Sequence, residues 1–116
     1  MSRTDIVRGL EMGLTEGKSE DVPVSKKNIR SAAVKLAKSF ETMNGKSLVQ
    51  LWHMAQEAYE QDDYGRRHHG ANNAHVRSGE DFGFYLAMRA QGHGVGWDDD
   101  VMGAYNIIKH PHIEVY

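Results

Sequence analysis

The stretch 79-GEDFGFYLAMRAQGHGVGWDDD-100 decides the fold, because it supports two opposed readings. As a helix, Ser78 is the N-cap and Asp81 stands at N3, a variant of the capping box. Phe82, Tyr85, Leu86 and Arg89 then follow helical spacing. As a strand, Phe82, Phe84, Leu86 and Met88 alternate with Gly83, Tyr85, Ala87 and Arg89, a period of two rich in aromatics. Gln91-Gly92-His93-Gly94 is a turn signal, since glycine reaches positive φ at low cost. Val95-Gly96-Trp97 is a short second apolar run. Apolar run, Gly-rich turn and apolar run together predict a β-hairpin over 82–97.

Asp81-Phe82, the run ending at Arg89, and Gly92-His93-Gly94-Val95-Gly96-Trp97-Asp98 resemble a motif of small uncharacterised phage and mobile-element proteins. The family pattern is D-F-W-L-T-R-N-G-H-G-A-G-F-W-D, followed by a short helix and a short final strand. This chain has Gly83-Phe84-Tyr85 where the family has a single Trp. It carries two extra residues before the turn and lacks one aromatic before Trp97. The resemblance implies a fold and a phage setting; it implies no chemistry.

The chain on either side has two clear helices. Ser25–Met43 opens on an N-cap serine. Ile29, Ala32, Ala33, Leu36, Ala37 and Phe40 share one face at about 100° per residue. Lys27, Lys35 and Lys38 fall opposite, with Lys26 and Arg30 on the flank. Asn44-Gly45 is a stop signal. Ser47 caps a second helix, 48–61, with Leu48, Leu51, Trp52, Ala55, Ala58 and Tyr59 on its apolar face. The short Gly45-Lys46 link makes the two helices antiparallel neighbours. Trp52 and Phe40 read as core.

Residues 2–14 suit a short helix capped by Thr4, with Ile6, Val7, Leu10 and Leu14 on one side and Gly9 and Gly13 weakening it. Glu16–Pro23 reads as a linker. Asp98–Asp100 can cap a further helix that ends at Pro111. Residues 112–116 alternate as a final strand. The expected fold is α+β: an antiparallel helical pair packed on a three-stranded antiparallel sheet, made of hairpin 82–97 and C-terminal strand 112–116, with a short helix between. Residues 1–24 form an N-terminal segment and 25–116 a single α+β domain.

Bulk properties narrow the function. The chain has 116 residues, 40% hydrophobic, 26% charged, with net charge −2 and seven histidines. That length builds one modest core. The near-neutral charge argues against a general nucleic-acid or membrane binder. No cysteine is present, so disulfides and thiolate metal sites are excluded. No run approaches a membrane span, and the N-terminus lacks a signal peptide's apolar region. The cytoplasm of a host cell is the expected location.

Chemistry concentrates in 61-QDDYGRRHHGANNAHVRS-78, which lacks periodicity and reads as a loop. His68, His69 and His75, with Asp62 and Asp63, are donor types that suit zinc, nickel or iron. Adjacent histidines diverge, however, and H-E-x-x-H is absent. Arg66, Arg67 and Arg77 beside Tyr64 suit single-stranded nucleic acid, and the Lys27, Lys35 and Lys38 face extends that patch. Glu57, Glu60, Asp62 and Asp63 oppose it. His93, between two glycines, suits a turn or a partner contact. Gly92–Gly96 lacks the lysine and context of a phosphate loop.

These features point to an accessory protein that binds a host or phage protein through Arg66, Arg67, His68, His69, His93 and Trp97. It needs no cofactor and is not expected to be an enzyme. The alternatives are a nucleic-acid-binding accessory protein using Lys27, Lys35, Lys38, Arg66, Arg67 and Arg77, and a metal-dependent hydrolase using His68, His69 and His75. An exposed Trp97 or Tyr116 would mark a homo-oligomer surface.

Overall fold

Four helices build the described part of the protein: α1 (Arg3–Gly17), α2 (Lys26–Asn44), α3 (Leu48–Gln61) and α4 (Gly79–Ala90). The computed structural model describes residues 3–17, 26–61, 76–92 and 108–109. No strand occurs among them. The α+β expectation with its three-stranded sheet is therefore corrected: the described residues are all-helical. The proposed first strand of the hairpin is α4. Residues 93–97 and the expected strand 112–116 lie outside the described residues.

The reason is in the glycines. The buried residues of α4 include Gly79, Phe82, Gly83, Leu86, Ala87 and Ala90, a helical set at spacings of three and four. Phe84 and Met88, placed with Phe82 by the strand reading, are only half-buried. Ser78 caps α4 in extended conformation (φ −141°, ψ 166°), its Oγ accepting from the Asp81 N–H at 3.1 Å and donating to Asp81 Oδ2 at 2.9 Å. Gly92 ends the helix at φ +82°, a conformation that suits glycine.

Helix α1 supplies the matching surface. Gly9, Gly13 and Gly17 repeat every four residues, as do Gly79, Gly83 and Ala87 on α4. A Cβ on Gly83 would run into the Ile6 carbonyl oxygen, and one on Gly9 into the Glu80 carbonyl. One on Gly13 would lie 2.6 Å from Ala87 Cβ. Successive neighbours along α1 are met by successive neighbours along α4 (Ile6 with Gly79, Gly13 with Ala87, Gly17 with Gln91), so the two helices run parallel. Small residues let two backbones approach where ordinary side chains would hold them apart. Gly9 and Gly13, expected to weaken α1, are what seat it.

α2 and α3 follow their expected boundaries to within a residue. Gly45, at φ +65°, closes α2, and its N–H donates to the Glu41 carbonyl at 2.8 Å. Ser47 and Gln50 form a reciprocal capping box on α3: Gln50 N–H to Ser47 Oγ at 3.2 Å and Ser47 N–H to Gln50 Oε1 at 2.9 Å. α2 packs more extensively on α1 than on α3, and α1 packs most extensively on α4. One core results, joining Ile6, Leu10 and Leu14 to Leu36, Phe40, Leu51, Trp52, Phe82 and Leu86.

Candidate functional site

α2 has one face in the core and one in solvent. Ile29, Ala33, Leu36, Ala37 and Phe40 are buried. Lys27, Ser31, Val34, Lys35, Lys38 and Thr42 are exposed on the opposite side. At 1.5 Å per residue, Lys27 to Lys38 spans about 16 Å along the axis. Val34, 38% exposed, is an apolar point within this row.

The cations of the described residues divide by type. Arg3 Nη2 pairs with Glu41 Oε1 at 3.0 Å, Arg8 Nη1 with Glu80 Oε1 at 3.1 Å, Arg30 Nε with Glu11 Oε1 at 3.4 Å, and Arg77 Nε with Asp81 Oδ2 at 3.4 Å. These pairs tie α1 to α2, α1 to α4, and the first turn of α4 to the residue before its cap. Among the described residues, Lys27, Lys35 and Lys38 form no ion pair. The two carboxylates seen to reach or stand on α2, Glu11 and Glu41, are already engaged by arginines.

Glu41 is a junction as well as a partner. Its Oε2 also accepts from the Leu48 N–H at 3.0 Å, so one carboxylate joins the start of α1, the last turn of α2 and the first turn of α3. The Arg3 hydrogen bonds hold its carboxyl below the usual glutamate range, against the upward push of burial. The Leu48 N–H and the charge of Arg3 add to the lowering.

Of the residues named from sequence, the structure brings Lys27, Lys35 and Lys38 together in one row. Arg77 does not join them. It is engaged with Asp81 at the start of α4, which packs on α1 and α3. Arg66, Arg67, His68, His69, His75, His93 and Trp97 lie outside the described residues. Among the described residues, no three His, Asp or Glu side chains come together as a metal site. No helix among them is long and apolar enough to cross a membrane. Sequence reasoning missed Val34 as part of the row and the diversion of Arg30 to Glu11. Helical spacing contains the first; the second depends on how α1 lies on α2.

Two side-chain clamps hold the ends of the described segments. Trp52 Nε1–H donates to the Val76 carbonyl at 2.9 Å, and Gln56 Nε2–H donates to the same oxygen at 3.1 Å. Val76 is therefore fixed against the middle of α3. The Asn44 amide bonds both backbone groups of Lys109: Oδ1 accepts from its N–H at 2.8 Å and Nδ2 donates to its carbonyl at 3.2 Å. Ile108 beside it is buried in the core.

The chain matches no protein-family model, no curated protein and no solved structure. Among the described residues, fold and surface combine a glycine-packed helix pair with a lysine row, on a separate helix, that forms no ion pair.

Proposed function

We propose that this is a binding protein that contacts a protein of its host or of its own phage or mobile element. The observation that carries the reading is the solvent face of α2, held by a packed scaffold, whose Lys27, Lys35 and Lys38 form no ion pair among the described residues. Arg3, Arg8 and Arg30, by contrast, tie helices together. The resemblance of residues 81–98 to phage and mobile-element proteins supports that setting and, with it, the cytoplasm of the host cell.

A nucleic-acid partner is the second reading, favoured by the same lysines. The pairing of Arg77 with Asp81 and the net charge of −2 weigh against it.

The test is recovery of a partner from native-host lysate on the immobilised full chain, with and without nuclease. One stoichiometric protein that survives nuclease supports the reading. Recovery lost on nuclease treatment transfers support to nucleic acid, and an empty pull-down counts against both.

A further inference from the structure

We infer that the α2 row of Lys27, Lys35 and Lys38 docks an acidic helical segment of the partner protein, an inference that rests on the binding reading above. Three features of the row select this partner.

The first is uncompensated charge. Three ammonium groups share one face, and the neighbouring carboxylates Glu11 and Glu41 are engaged by Arg30 and Arg3. An incoming carboxylate meets these lysines without displacing an internal ion pair. Rim charges of this kind act chiefly by steering association and selecting complementary partners.

The second is spacing. Lys27 to Lys35 is about 12 Å and Lys35 to Lys38 about 4.5 Å along the helix axis. Carboxylates at eight- and three-residue spacing on a second helix reproduce these intervals. Two helices side by side therefore match charges over the whole row.

The third is composition. Val34 offers an apolar contact within the row, with the small hydroxyl of Ser31 one turn before it on the same face. No aromatic side chain lies on this face, and the adjacent guanidinium, Arg30, is bound to Glu11. Stacking on aromatics or guanidinium groups is what single-stranded nucleic acid exploits. A protein helix that places an apolar residue against Val34 between carboxylates uses everything the face presents.

The experiment is an amide NMR titration of the full chain with three probes: a helical glutamate-rich peptide, the same peptide with glutamine at each glutamate, and an oligo-dT strand. The expected result is a response to the acidic peptide confined to residues 27–42. Raising salt from 50 to 300 mM weakens it about tenfold or more, as the Debye length shortens. The response is lost in Lys27→Gln/Lys35→Gln/Lys38→Gln and kept in Lys46→Gln/Lys109→Gln, with circular dichroism showing both variants folded. A response elsewhere, an equal response to the glutamine peptide, persistence in the triple variant, or tighter binding of oligo-dT overturns the inference. Capture of the same lysate protein by wild type and triple variant also overturns it while leaving the binding reading standing. Capture by neither removes that reading.

Discussion

The α1–α4 seam and the α2–α3 turn region are both helix packings, built on opposite principles. Along the seam, Gly9, Gly13, Gly79 and Gly83 remove side chains so that backbones meet. Around α2 and α3, large side chains fill the space: Leu36, Phe40, Leu51 and Trp52 are buried. The seam gains from approach and has no room for an added methyl. The α2–α3 side gains from volume and has no tolerance for a missing one. A helix with weak intrinsic propensity can therefore be as firmly placed as one with a full apolar stripe, provided its partner offers a matching groove.

The largest expected effect comes from removing volume on the α2–α3 side. Phe40→Ala leaves a cavity in the shared core and costs about 4 kcal/mol. Urea unfolding followed by circular dichroism measures it; a loss under about 1 kcal/mol would mean that this side of the core collapses to fill the gap.

The converse test adds volume to the seam. Gly83→Ala places a Cβ against the Ile6 backbone, which cannot turn away as a side chain can. A loss of about 3 kcal/mol is expected, read as a fall in Tm of about 10 °C or more. Gly45→Ala is the contrast: nothing lies within 4 Å of its Cβ, and only the φ of +65° opposes it. That substitution costs about 1 kcal/mol. Equal losses in the two variants would contradict close backbone packing.

The caps compare the two regions on equal terms. Ser47→Ala and Ser78→Ala each remove one capping hydroxyl and each cost about 1 kcal/mol. Urea midpoints of the two variants are expected to agree closely. A much larger loss for Ser78→Ala would show that α4 depends on its cap more than on the seam.

The smallest effect is the acid dependence of Glu41. Its folded pKa lies below its unfolded one. Its stabilising contribution is complete above the unfolded value of about 4.3 and falls away as pH drops through the folded value. Stability of wild type and Glu41→Gln, followed from pH 7 to pH 3, checks the sign. The wild type should lose more on acidification, and parallel curves would remove the junction role of this carboxylate.

Much of this molecule is legible from spacing, and the exceptions share a cause. Helices α2 and α3 carry long apolar stripes, capping serines and a glycine stop, so local signals agree. The lysine row is legible for the same reason, being the reverse side of the α2 stripe. In α4, Phe82, Phe84, Leu86 and Met88 satisfy a period of two as well as a helix does, and Gly83 counts against a helix in isolation. The missed signal was the shared four-residue glycine spacing of α1 and α4. The ion-pair partners of Arg30 and Arg77 also divide. Arg77 and Asp81 are four apart and locally predictable, whereas Arg30 and Glu11 meet only because α1 lies on α2.

Local periodicity alone thus settles α2, α3 and the cationic face, because an amphipathic stripe specifies a helix and its orientation together. The helical state of α4, the seating of α1 and the charges left unpaired on α2 are decided by tertiary packing. A glycine's contribution depends on the backbone placed against it, and an ion pair depends on a partner distant in the chain.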